Sequence, residues 1–326
     1  MPVESAFENN SAAIKLMKRR LAKFETAEGR LKGLHYEPQA NDVVITTTPK
    51  AGTTWMQQIC HQLRSHGDMD FEEISAVVPW LELAHDQGQD LKAVQFGEQD
   101  GMPRFFKTHA WANHCPKFRK AIVVLRSPED VLVSFYHFFE DWFFESGTVS
   151  MDAFAEEFWL ARDIPTSKMQ NASYFVHLIS WYKRREEKGV LIVFFEDLIN
   201  DLQGQVKRIA KFLSTSDISL DDGMTVQTAV RCSSFEFMKS HESQFDEHLS
   251  KLARNEACGM EKTAGMTRSK LTKGRVGSGV VLSDAIRQRI QQKWKEVVEP
   301  VTGCASYNDL RKQLTASRNN SDGRCI

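Results

Sequence analysis

The sequence predicts an α/β protein: a single domain with a central parallel β-sheet flanked by helices. Three stretches carry this expectation. In Val43-Val44-Ile45-Thr46-Thr47-Thr48-Pro49-Lys50-Ala51-Gly52-Thr53-Thr54-Trp55 a β-branched run meets a turn punctuated by Pro and Gly, then a helical pattern with Trp55, Ile59 and Leu63 on one face. Ala121-Ile122-Val123-Val124-Leu125 and Val190-Leu191-Ile192-Val193-Phe194-Phe195 are continuous apolar runs. Such runs mark strands covered on both faces, as parallel strands are. Helical segments between them, around residues 151–162 and 171–188, complete the strand–helix alternation.

The other elements are taken in chain order. Residues 11–34 read as a basic amphipathic helix with Ile14, Met17, Leu21 and Phe24 on one stripe, packed on the domain. Residues 71–85 contain the apolar stretch Val77-Val78-Pro79-Trp80-Leu81, to which no form is assigned. Arg104-Phe105-Phe106-Lys107-Thr108-His109 reads as a strand that places Phe105, Lys107 and His109 on one face. Ser127-Pro128-Glu129-Asp130 opens a helix, with Ser127 as N-cap, Pro128 in the first turn and acids near the positive end. Glu196-Asp197-Leu198 leads into another. The expected domain spans residues 1–314, with its core at 41–280 and C-terminal helices at 283–314; residues 315–326 read as a disordered tail.

Composition narrows the function classes. The chain has 326 residues, 41% apolar and 26% charged, with a net charge of −1, which argues against wholesale electrostatic binding of nucleic acid or anionic membrane. Its six cysteines are scattered without a CxxC pair, and its ten histidines show no HExxH-type spacing, so no metal site is expected. Residues 1–10 are polar and acidic rather than basic then apolar, no stretch approaches a membrane span, and the terminal Gly323-Arg324-Cys325-Ile326 is not a prenylation box. A cytoplasmic location is the expectation.

The turn after the first strand points backbone N–H groups and the positive end of a helix dipole at one spot. Lys50 adds a charge there, Thr53 and Thr54 add hydroxyls, and Thr53 is placed to cap the helix. This reads as an anion cradle, most naturally for phosphate; the alternative is an ordinary strand-to-helix turn with a surface lysine. It departs from the Walker A pattern, because Lys50 precedes Gly52 instead of following the last Gly. Ligands of open parallel sheets bind outside the carboxyl ends of the strands. There the sequence places the cradle, Lys107 with His109, Arg126 with Ser134 on the following helix, and Phe195. A nucleotide with several phosphates plus a second substrate fits that inventory.

These segments resemble the cytosolic sulfotransferases, whose donor is 3′-phosphoadenosine 5′-phosphosulfate (PAPS). Thr48-Pro49-Lys50-Ala51-Gly52-Thr53-Thr54-Trp55 is similar to the family signature TYPKSGTTW, and Lys107-Thr108-His109 to its KTH segment. Arg126 to Phe138 resembles RNPKDVxVSYYHF, Phe194-Phe195-Glu196-Asp197-Leu198 resembles FYEDM, Ser233-Ser234-Phe235 with Met238-Lys239 resembles TSFxxMK, and Lys273-Gly274 with Gly277 resembles RKGxxGDWK. The matches keep family order. The resemblance implies a P-loop-like turn, Lys50, Ala51, Gly52, Thr53 and Thr54, that holds the 5′-phosphosulfate. It implies Arg126, Ser134, Lys273 and Gly274 on the 3′-phosphate, and Trp55, Phe195, Ser233 and Phe235 around the adenine. By the same resemblance His109 is the general base, Lys107 stabilises the sulfuryl group, and Lys50 and Ser134 complete the catalytic set. Trp80, Phe106, Phe138, Phe139 and Trp142 would border a pocket for phenols, sterols or other hydrophobic alcohols.

Several positions depart from the pattern: Thr48, Ala51, Phe195, Thr272, and Ser278-Gly279 in place of Asp and Trp. The C-terminal dimer segment of the family is not evident, so no oligomeric state is carried over. The expectation is a divergent PAPS-dependent sulfotransferase acting on a hydroxyl or amine of a small acceptor, without a metal. The alternative is a catalytically silent PAPS/PAP-binding sensor or scaffold. A small-molecule kinase ranks third, disfavoured by the position of Lys50.

Overall fold

A computed structural model describes residues 2–93, 101–140, 142–266 and 276–322. Four parallel strands form its sheet: β1 (Val43–Thr47), β2 (Phe105–Thr108), β3 (Lys120–Leu125) and β4 (Val190–Phe194), in the order β2-β1-β3-β4. The register pairs Val43 with Phe105, Val44 with Ala121 and Val124 with Val193. The α/β class read from the sequence is the one observed.

Strand alternation divides the core into two layers. Val44, Phe106, Val123 and Ile192 face one layer; Ile45, Phe105, Ile122 and Val193 face the other. The first layer holds most of the aromatic side chains. The second is closed by the helices Thr53–Ser65 and Leu202–Leu213, through Ile59, Leu63, Val206 and Ile209. The unassigned stretch becomes a short helix, Ile74–Val77, and then an isolated bridge in which Trp80 pairs with Lys107 beside β2. The backbone bonds Lys107 N–H to Pro79 O, 2.8 Å, and Leu81 N–H to Lys107 O, 2.9 Å, make it. This bridge carries Trp80 to the site.

Some element boundaries differ from expectation. Residues 11–34 are not one helix: the helix Pro2–Leu21 ends and Ala27–Leu34 begins anew. Thr26 makes the break, because its hydroxyl accepts the Gly29 N–H at 2.9 Å while its own N–H donates to Asp86 at 2.7 Å. Ile14 and Met17 are fully buried, and Phe24 lies in the break. The segments expected as helices at 151–162 and 171–188 contain Met151–Phe154, which runs on as a π-helical turn to Trp159, and Tyr174–Tyr182. β4 stops at Phe194, and Phe195 opens the helix Phe195–Asn200. Glu196 ties that corner: it accepts the Ser127 N–H at 3.0 Å and the Tyr307 hydroxyl at 2.6 Å. The last helix, Tyr307–Asp322, is seated by Leu310 and Leu314, and its backbone stays helical beyond residue 315, through Asp322. Among the described residues no helix is long and apolar enough to cross a membrane.

Candidate active site

The carboxyl ends of the strands open onto one cavity of about 2110 Å³. Its first part is the cradle. The turn after β1 places Lys50 at φ 71° and Gly52 at φ 105°. Only glycine suits the second position: a Cβ on Gly52 would lie 2.7 Å from the Phe195 ring. Lys50 holds the same left-handed region without that freedom, a strain of about 1–2 kcal/mol. Thr53 does not cap the helix Thr53–Ser65, as the sequence led us to expect. Gly52 occupies the N-cap without a side-chain bond, and the Thr53 hydroxyl pairs instead with the Thr47 hydroxyl at 2.6 Å. The helix start that carries the N–H groups of Thr53, Thr54 and Trp55 thus has no side-chain cap. Pro49, Lys50, Gly52, Thr53 and Thr54 line the cavity, whereas Ala51 is fully buried behind it.

Beside the cradle stand Arg126, Ser134, Trp55, Phe195 and Phe235, all on the cavity wall. Arg126 donates Nη1 to the Lys50 carbonyl at 3.1 Å and lies 4.4 Å from the Phe195 ring centre. Its Nε is buried without a partner, and burial holds its pKa below the usual arginine value. The Trp55 indole meets Phe195 edge-on at 5.5 Å and donates to the Ser233 carbonyl at 2.7 Å. Ser233 itself is fully buried and does not reach the cavity. Lys273 and Gly274 lie outside the described residues. The segment from Gly277 to Gly279 is held by Asp130, which accepts the Gly277 and Gly279 N–H groups and the Ser278 hydroxyl at 2.9–3.0 Å. The sequence alone places Asp130 only at a helix dipole.

The second part surrounds His109. Its Nδ1 donates to the Thr47 carbonyl at 2.9 Å, which leaves Nε2 as the basic nitrogen. Glu82 accepts the His109 N–H at 2.9 Å and the Thr108 hydroxyl at 2.8 Å. Trp80 meets the imidazole edge-on at 5.1 Å. Burial and the Lys107 charge push the His109 pKa down to about 3, so the ring is neutral. Lys107, expected to serve the transferring group, is paired with the buried Glu247 at 2.9 Å and lies 4.2 Å from the Trp80 ring centre. Glu247 sits at φ 63°. Neither Glu82 nor Glu247 has a signal in the sequence, because each reaches the site from a distant segment.

The third part is aromatic. Trp80, Phe138, Phe139 and Trp142 line it, joined by Phe24 and Phe143. Phe106 does not. It lies back from the strand ends, fully buried between Tyr36 and Phe118 at centroid distances of 5.0 and 5.8 Å. One group with metal-ligand geometry occurs among the described residues, Glu73, Asp246 and His248, away from the cavity. Glu73 already accepts the Ser75 hydroxyl and the Leu249 N–H.

An anion cradle and a neutral imidazole sharing one cavity at the switch edge of a parallel sheet define a group-transfer site of the α/β class. The sulfotransferase domain matches residues 40–298, most of the chain. The chain belongs to the sulfotransferase family. It is 30% identical over 218 residues to dog sulfotransferase 1B1, covering 63% of this chain and 69% of that one. Rabbit amine sulfotransferase is 30% identical over 212 residues, covering 63% and 65%. Among solved structures, mouse sulfotransferase SULT7A1 complexed with PAP superposes with a TM-score of 0.57 at 19% identity, covering 90% of this chain and 95% of that one. Retinol dehydratase in complex with androsterone and inactive cofactor PAP superposes at 0.59 and 18%, covering 83% and 86%.

Proposed function

We propose that this enzyme moves a sulfuryl group from PAPS to a hydroxyl or amine of a small hydrophobic acceptor, with His109 as general base. The observation that carries the reading is the Nδ1–H bond of His109 to the Thr47 carbonyl. It fixes the tautomer and leaves Nε2 to take the acceptor proton, in the same cavity as the cradle. The donor set fits the cofactor: uncapped helix N–H groups, Lys50, and a buried Arg126 whose Nε has no partner. When bound, PAPS supplies an activated sulfuryl group on a phosphate leaving group. The cradle and Lys50 hold that phosphate and offset its growing charge. Arg126 and Ser134 hold the 3′-phosphate, together with Lys273 and Gly274 by the resemblance above. Trp55, Phe195 and Phe235 border the adenine, and the Ser233 carbonyl orients Trp55. Lys107, held by Glu247, fixes the Trp80 wall and places positive charge beside the reacting oxygen. An anionic donor beside His109 would move its pKa back from about 3 toward neutrality, where a base works best. Five described cysteines are buried free thiols, in keeping with a reducing, cytoplasmic compartment.

The test is transfer of labelled sulfate from PAPS, without added metal, to a panel of phenols, sterols, alkyl alcohols and amines. Calorimetric titration with PAP accompanies it. Labelled product supports the reading; PAP binding without transfer to any acceptor would favour a silent binding protein, and no PAP binding would end both.

A further inference from the structure

Besides aromatic rings, charged side chains line the cavity. Trp80 contacts both His109 and Phe24, at centroid distances of 5.1 and 5.8 Å, and Glu25 follows Phe24 in the chain. Glu25, Arg30, Arg162 and Asp163 line the cavity, as does the exposed Lys18. Most of these groups are matched. Arg30 gives Nη1 to Glu25 at 2.6 Å, Nε to the Lys168 carbonyl at 2.5 Å and Nη2 to Asn171 at 2.8 Å. The Asp163 carboxylate accepts the Ile164 N–H at 2.9 Å.

Arg162 differs. Its guanidinium carbon lies 4.2 Å from the Phe158 ring centre and 5.4 Å from that of Phe135. Among the described residues it has no hydrogen-bond or ion-pair partner. The ring faces account for its position but satisfy none of its N–H donors. Burial drives its pKa down to about 10 against the opposing charge of Glu25, and Glu25 is itself engaged by Arg30. A half-buried guanidinium with a free fork of donors, on the wall of a cavity rich in aromatic rings, is suited to a planar anion.

We propose that Arg162 binds a carboxylate on the acceptor, so that the acceptor class is an amphipathic molecule with a hydroxyl at one end, an apolar body and a carboxylate at the other. The hydroxyl lies at His109, the body along Trp80, Phe24 and Trp142, and the carboxylate at Arg162. The chemistry at the hydroxyl is that of the proposed transfer: its proton passes to His109 Nε2, an oxygen–sulfur bond forms, and the bond from sulfur to the donor phosphate breaks with its electron pair staying on that phosphate. The assignment rests on the sulfuryl-transfer reading for its orientation, but the anion site can be read without turnover.

The test compares ω-hydroxydodecanoate with its methyl ester as acceptors, in the wild type, Arg162→Gln and Arg162→Lys. The wild type should favour the acid in KM by about tenfold or more, the worth of a charge-assisted hydrogen bond. Arg162→Gln should bring the acid-to-ester ratio close to one, and Arg162→Lys should restore part of it, which a packing role alone would not do. In parallel, dodecanoate and dodecanol are titrated by tryptophan fluorescence quenching. If no acceptor is sulfated yet dodecanoate binds more tightly and loses that advantage in Arg162→Gln, the anion site stands and the transfer reading falls. A wild type that treats acid and ester alike, or an Arg162→Gln variant that keeps the preference, overturns the proposal.

Discussion

The two ends of the cavity are built by opposite means. The proposed donor end centres on one stretch of chain, a strand end, a strained turn and a helix start, to which Arg126 is brought from the end of β3. Its donors are largely backbone, and the sheet register aligns them. The acceptor end is assembled from residues far apart in the chain, Phe24, Trp80, Lys107, Trp142 and Glu247, held by ring contacts and a buried ion pair. Backbone donors pinned by a sheet suit a constant ligand part such as a phosphate. Side chains on loops can change with the acceptor.

This contrast can be broken by experiment. The largest effect expected is at the junction of the two ends. His109→Ala should lower transfer by about 10²–10⁴-fold, the usual worth of a general base, while PAP titrates as in the wild type. Retained transfer would remove His109 from its role and with it the link between the two ends. Next comes the acceptor side. Lys107→Ala leaves Glu247 buried without its cation, so denaturant unfolding should show a loss of about 3–5 kcal/mol. The double variant Lys107→Ala/Glu247→Gln should recover part of it; equal losses would mean the pair is not coupled.

The donor side should respond to a single methyl group. Gly52→Ala must hold φ 105° and displace the Phe195 ring, so a loss of about 1–3 kcal/mol is expected together with weakened PAP binding. Unchanged PAP affinity would show that the turn is not the phosphate site. Acid sensitivity should be broader but gentler. Burial holds His61, His109 and His177 each at about 3. As pH falls below the ordinary histidine value of about 6.5, the unfolded chain takes up protons that the folded chain refuses, so stability declines toward pH 3. Melting temperatures should fall across that window. Bound PAP should make the decline shallower through His109 alone; an identical slope with and without PAP would place the anion away from the imidazole.

The smallest effect is a control on the boundary of the acceptor end. Phe106→Leu, in the core behind the cavity, should cost about 1 kcal/mol of stability and leave acceptor KM unmoved. Phe138→Leu should move KM instead, since Phe138 lines the cavity. The reverse result would restore Phe106 to the pocket.

The sequence by itself determined the sheet and the turn that follows its first strand. β1, β3 and β4 are apolar or β-branched runs whose burial on both faces leaves little choice of structure, and the cradle is local enough that its glycine, lysine and threonines appear in order. Sequence reasoning erred where a local signal met a tertiary partner. Thr53 looks like a cap, yet Thr47 takes its hydroxyl; residues 11–34 look like one helix, yet Asp86 engages Thr26 and the chain breaks there. Phe106 and Phe138 have the same side chain, and only the depth of β2 behind the strand ends separates core from pocket. Glu82, Glu247 and Arg162 carry no motif. Their surroundings arise when segments distant in sequence pack together, and burial then decides which charges are matched and which face the cavity. Local preference is written in neighbouring residues. Partnership between distant charges is decided only when the core has excluded water and made an unmatched charge costly.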